Sequence, residues 1–140
     1  MGEVLQFEKR PGIRERWEKD FSIDREEDIS DLATSVKNMS SLHHDSEEAR
    51  KAGFLGIIAP VAMLTGFILS AIEEEISEAQ VRQMDLKFIR PLYAGSLPTV
   101  SCRVLMQNQR FATIAVAIRN GADIVAEGSC RLKLPQIRPG

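Results

Sequence analysis

The chain has 140 residues, 44% of them apolar and 27% charged, enough for one compact domain and its surface but not for two. These proportions exclude collagen-like, intrinsically disordered and disulfide-scaffold classes. Eighteen basic residues against twenty acidic ones give a formal charge of −2, without the basic excess that binding nucleic acid or an anionic membrane requires.

Residues 1–14 are mostly polar, punctuated by Pro11 and Gly12, and read as an N-terminal arm that adds little core. Residues 15–140 then form a single domain. The start, Met1-Gly2-Glu3, is polar and acidic, so no signal peptide is expected. Residues 17–23 alternate weakly and read as a first strand. Ser22-Ile23-Asp24 precedes an amphipathic helix with Ile29, Leu32, Ala33 and Val36 at helical spacing and Glu26, Glu27 and Asp28 in its first turn. A polar loop over residues 37–45 leads to a short helix, residues 47–52, capped by Ser46 and ended by Gly53.

Residues 57–72 are almost wholly apolar and stop at Glu73-Glu74-Glu75, short of the about 20 residues a membrane span needs. The stretch reads as a helix buried on every side, with Pro60 in its first turn and the three glutamates as its solvated end. Enclosing it requires a curved sheet.

The period then changes from 3.6 to 2. Met84, Leu86 and Phe88 alternate with polar residues as far as Pro91, and Val100, Cys102, Val104 and Met106 alternate in turn. Ile114, Val116 and Ile118 alternate with Thr113, Ala115 and Ala117. Asn120-Gly121 marks a hairpin, after which Ile124, Ala126, Cys130 and Leu132 share one face. These strands read as an antiparallel meander with one wet face, giving an α+β fold whose sheet curls round a long central helix. Cys102 and Cys130 lack metal-ligand spacing and read as small buried hydrophobes in a protein of the reducing cytoplasm; no metal site is expected.

The stretch Lys37-Asn38-Met39-Ser40-Ser41-Leu42-His43, then Asp45, Ala52-Gly53-Phe54 and Ala59-Pro60-Val61, resembles the signature of the MaoC-like enoyl-thioester hydratases, which include the (R)-specific enoyl-CoA hydratases. That signature reads Gly-Asp-x-Asn-Pro-x-His, followed by an Asp, a Gly-Phe turn and Ala-His-Gly at the start of the central helix. Downstream, residues 88–95, Phe-Ile-Arg-Pro-Leu-Tyr-Ala-Gly, are similar to a second turn of the family, with Ser96 where the family has Asp. The resemblance implies a hot-dog fold and a pocket that adds or removes water at an enoyl-coenzyme A or enoyl-carrier-protein. No cofactor is implied beyond the carrier of the substrate.

Residue by residue, the family's His is His43, its Asp is Asn38, its Asn is Ser40 and its helix-start Gly is Val61. The resemblance thus assigns His43, Asn38 and the Val61 backbone N–H to catalysis, and Ser40, Phe54, Ala59, Pro60 and Arg90 to substrate binding. Asn38 orients a water or a carbonyl but takes no proton from water, as a carboxylate does. The Val61 N–H still serves an oxyanion at the positive end of a helix, whereas its side chain fills space that a glycine leaves open. A relay from His43 or His44 to Asp45 is one way to replace the missing carboxylate. Ser40 and Ser41 lack an oriented third group and read as loop residues rather than nucleophiles. Residues 53–56 lack phosphate-cradling spacing. Arg90 and Arg110, near turns, are candidate contacts for the carrier's phosphate.

Three functions follow: hydration or dehydration of an acyl thioester, single-base chemistry on one (isomerisation, epimerisation or hydrolysis), or a non-catalytic acyl-binding or assembly subunit. The resemblance also implies a homodimer, or a dimer of dimers, joined edge to edge with the acyl tunnel between chains, because an open five-stranded sheet leaves unpaired edges.

Overall fold

The computed structural model describes residues 12–136. The elements run β1 (Arg16–Asp20), α1 (Glu26–Ser35), a 3-10 turn (Ser41–His43), α2 (Ser46–Lys51), α3 (Val61–Glu75), β2 (Gln80–Phe88), β3 (Pro98–Gln107), β4 (Phe111–Asn120) and β5 (Asp123–Lys133). One antiparallel sheet of order β1-β3-β4-β5-β2 wraps the inner side of α3. Only β3, β4 and β5 form the expected meander; β2 crosses to the far edge and pairs with β5, while β1 closes the other side against β3. The helix therefore sits between two edge strands that precede and follow it in sequence.

α3 begins four residues later than the apolar run, because Ala59 precedes a proline and is steered out of helical space. Residues 57–60 are extended instead: Ile58 N–H donates to Leu42 O (3.0 Å) and Ala59 N–H to Leu92 O (2.8 Å), with Pro60 as the N-cap of α3. The inner stripe of α3, Leu64, Ile68, Ala71 and Ile72, packs on Val100, Ile114, Val116 and Leu132 of the sheet. The helix is not buried on every side. Val61 is 55% exposed and Leu69 41% exposed, because one five-stranded sheet reaches round only part of a helix.

Trp17 of β1 locks sheet to helix, its indole N–H donating to Ala71 O at 2.8 Å. Glu75 is not a solvated end. Its carboxylate accepts from Arg14 N–H (3.0 Å), Nε (2.9 Å) and Nη2 (2.7 Å), and Glu74 pairs with Lys19. Of the expected arm, residues 1–11 lie outside the described residues, and Arg14 is fixed at the C-terminal end of α3.

Three bulges interrupt the ladders: one in β2, between Val81 and Gln83, and two more that change which side chains are fully buried. The shift between Val104 and Met106 turns Met106 outward (54% exposed) and buries Gln107. The shift between Ile118 and Arg119 buries Val125 and leaves Ile124 half-buried. Each inserts one unpaired residue and reverses the period-2 phase beyond it. Val36, expected on the buried face of α1, is its exposed C-cap.

Candidate active site

The loop between α1 and α2 is held by its own hydrogen bonds. Lys37 takes a left-handed conformation (φ 58°), and Asn38 N–H returns to Ala33 O at 2.8 Å. Asn38 Oδ1 accepts from Ser40 N–H (3.2 Å), an Asx turn that leaves the amide NH₂ of Asn38 as its remaining donor. Ser40 Oγ accepts from Leu42 N–H at 3.4 Å. Asp45, rather than Ser46, caps α2, its Oδ1 accepting from Glu47 N–H (3.0 Å) and Glu48 N–H (3.2 Å).

The two histidines have different duties. His44 Nε2 donates to Asn38 O (2.8 Å), since a carbonyl only accepts, so in the neutral ring Nδ1 accepts from the Ser30 hydroxyl at 2.6 Å. Both nitrogens are engaged, one tying the loop to α1 through Ser30 and the other closing the loop on itself through Asn38. With Asp45 committed to its cap as well, neither the His43–Asp45 nor the His44–Asp45 relay is formed. His43 Nδ1 donates to Ile58 O at 2.7 Å, which makes Nε2 the nitrogen with a lone pair in the neutral ring.

The partner of His43 is positioned with equal care. Glu26 at the start of α1 accepts from Ile57 N–H (3.2 Å), and the Tyr93 hydroxyl accepts from Leu55 N–H (3.2 Å). These anchors fix the extended segment that carries Ile58 to the loop that carries His43. Sequence reasoning missed both: a glutamate in a first helical turn reads as a dipole partner, and nothing local signals that it crosses to Ile57.

A cleft of about 320 Å³ lies where this loop, the start of α3 and the end of β2 meet. Asn38, His43, Phe54, Ala59, Val61 and Arg90 line it, together with Ile58, Leu64, Phe88, Ile89 and Leu92. Ser40 and Pro60 do not line it: Ser40 serves its own turn, and Pro60 is buried at the foot of α3. Arg90 holds the β4–β5 corner through Nη1 to Ile124 O at 2.8 Å. Arg110 is at the other end of the sheet, about 25 Å away along β4 at ~3.3 Å per residue, since Ile118 and not Phe111 is level with Phe88 across Ala126. Arg14 is likewise remote, at the far end of a helix roughly 21 Å long.

Val61 is the first residue of α3, so its N–H has no acceptor within the helix and adds to the positive end of the helix dipole. The cleft thus holds one nitrogen base, one amide donor and one helix-start N–H on apolar walls. No group of three or more His, Cys, Asp or Glu side chains among the described residues is arranged to hold a metal ion. Cys102 and Cys130 are free and buried, and desolvation pushes their thiols up to about 12 and about 11. No helix among the described residues is long and apolar enough to cross a membrane.

Comparison with known proteins agrees with this fold. A UPF0336 protein of Mycolicibacterium paratuberculosis is 27% identical over 130 residues, covering 83% of this chain and 81% of that one. The unliganded R-hydratase PhaJ1 from Pseudomonas aeruginosa superposes with a TM-score of 0.79 at 22% identity, covering 89% of this chain and 83% of that one. The ChsH1-ChsH2 complex from Mycobacterium tuberculosis gives 0.78 at 22% identity over 85% and 94%. Both structures share the hot-dog fold found here, an antiparallel sheet round a central helix. The family model for the MaoC like domain matches residues 6–126, and the chain belongs to that family.

Proposed function

We propose that this protein adds water to, or removes it from, an acyl thioester, with His43 as the only base. The observation that carries the reading is the His43 Nδ1–Ile58 O bond, which leaves Nε2 as a proton acceptor in a cleft shared with Asn38 and Val61. In the hydration direction the Asn38 amide holds a water oxygen and His43 Nε2 takes its proton. The oxygen bonds to the β-carbon of an enoyl thioester, the double-bond electrons move to the α-carbon and carbonyl oxygen, and the Val61 N–H stabilises that oxygen. The imidazolium returns its proton to the α-carbon, so one water is added in all; dehydration is the reverse. The carrier is coenzyme A or a carrier protein, and the free, buried cysteines fit a cytoplasmic protein.

The exposed stripe of α3 and the open edge of β2 favour an edge-to-edge homodimer, with the hollow between them, lined by Thr65, Leu69, Val81 and Met84, covered by the partner. Asn38 and Val61 support a second reading, an acyl-binding subunit beside an active hot-dog chain, since both replace groups that the family's chemistry uses.

Hydration of crotonyl-coenzyme A, followed by loss of the enoyl-thioester absorbance, tests the proposal. His43→Ala is expected to lower the rate about 100-fold or more, and Asn38→Asp to raise it by supplying the absent carboxylate. A wild-type rate no greater than that of His43→Ala refutes the hydratase reading. Turnover that appears only with a second hot-dog chain supports the subunit reading.

A further inference from the structure

We propose that the outer face of the sheet is a second contact between copies of this chain, built round a two-fold axis that crosses the strands. Two rows of side chains span this face. One row runs Arg16, Arg103, Ala115, Ser129, Asp85 across the five strands, and the next runs Glu18, Ser101, Ala117, Glu127, Lys87, as the strand registers dictate. On β1 and β2 the two rows carry opposite charges, on β3 and β5 a long charged residue stands beside a serine, and on β4 both rows carry alanine. Arg16 stands beside Glu18, Arg103 beside Ser101, Ala115 beside Ala117, Ser129 beside Glu127 and Asp85 beside Lys87.

A two-fold axis lying across the strands, midway between the rows, places each row over the other row of the second copy. Arg16 then meets Glu18 of the second copy, and Asp85 meets Lys87 of the second copy, opposite charges in both cases. The long Arg103 and Glu127 meet the short Ser101 and Ser129 of the second copy, and the alanines meet each other. Opposite charges therefore meet at both outer strands, a long side chain meets a serine on β3 and on β5, and the centre is alanine on alanine.

The relief of the face agrees. A hollow of about 570 Å³ lies over Ser101, Ala115 and Ala117, walled by Arg16, Arg103 and Glu127. Arg16 and Arg103 are direct cross-strand neighbours of like charge, which is unfavourable by itself. Neither they nor Glu127 and Lys87 have an ion-pair partner among the described residues, whereas Glu18 bridges Arg119. Twisted sheets pack face to face with their strands within about 30°, so no strand has to bend. Five strands at ~4.8 Å spacing and about seven shared residues at ~3.3 Å give roughly 550 Å² of planar area per copy. That falls below the ~800 Å² per partner of a standard interface, so the association is concentration-dependent and, resting on exposed charges, sensitive to salt.

Sedimentation velocity over a concentration series at low salt tests this contact. Ala117→Arg at the centre, and Arg16→Glu or Glu18→Arg at the rim, are each expected to weaken association about tenfold or more. Either rim variant alone sets like charges against each other twice, whereas an equimolar mixture of Arg16→Glu and Glu18→Arg proteins restores two opposite pairs and is expected to recover the wild-type mass. Leu69→Arg, on the exposed stripe of α3, separates this contact from an edge-to-edge pair: association on the outer face survives it. Association unchanged by both Ala117→Arg and Arg16→Glu, or a mixture that fails to recover, overturns the proposal.

Discussion

Gly128→Ala is the sharpest perturbation of this fold. Gly128 pairs with Leu86 across the β2–β5 ladder, and a Cβ built on it comes within 1.8 Å of Asp85 O and 3.0 Å of Leu86 Cα. Both neighbours are backbone, so no rotamer change relieves the contact. β2 has to recede by about 1.2 Å merely to reach the shortest contact that real Cβ atoms show, which stretches a hydrogen bond of ~2.9 Å well beyond bonding range. Two or three ladder bonds at about 1 kcal/mol each, with part of the packing of Leu86 and Met84, bring the cost to about 3–5 kcal/mol. Domains of this size are stable by roughly 5–15 kcal/mol, so the variant folds at reduced temperature but loses much of its margin. Urea unfolding followed by the fluorescence of Trp17, the sole tryptophan, gives the difference. A loss under about 1 kcal/mol refutes the reasoning. Because β2 ends in the cleft wall at Phe88, activity is expected to fall along with stability.

Trp17→Phe removes the buried indole N–H donated to Ala71 O and is expected to cost about 2 kcal/mol through the lost hydrogen bond and the void left beside α3, read by circular dichroism. Burial alone raises the Glu75 carboxyl, but the three hydrogen bonds and charge of Arg14 outweigh it and hold the carboxyl below its ordinary value. With its folded value depressed, its stabilisation is complete above the unfolded value and is lost as pH falls through the folded one. Glu75→Gln is therefore expected to flatten the acid limb of a stability–pH curve below about pH 4.5, and an identical limb in the variant contradicts that account. With thiols pushed up to about 12 and about 11, Cys102 and Cys130 are expected to react with a thiol reagent at about pH 8 only as fast as the sheet opens, and fast labelling of the native protein contradicts their burial.

Much of the architecture was legible locally. The shift from period 3.6 to period 2 beyond Glu75 places the helices before the last four strands, and Asn120-Gly121 marks the β4–β5 hairpin, with Gly121 at φ 64°. The residues of the cleft were legible through a resemblance rather than through periodicity: Asn38 and His43 share one loop, Val61 starts α3, and all three meet on one cleft. Their states were not legible. Whether His43 is a base depends on Ile58 O, and whether Asp45 is free to relay a proton depends on the α2 cap.

The sequence by itself determined the alternation that gives the sheet a wet and a dry face, the apolar stretch that becomes α3, and the proline that delays its start, because these depend on neighbours within a few residues. Only the tertiary structure decided that β2 lies beside β5, that two bulges exchange Met106 for Gln107 and bury Val125, that Glu75 is an anchor and that Arg110 is remote from the cleft. Each of these is set by which strands hydrogen-bond and by which side chains meet across tens of residues. A periodic pattern carries the face on which a residue lies, and says nothing of the partner it meets there.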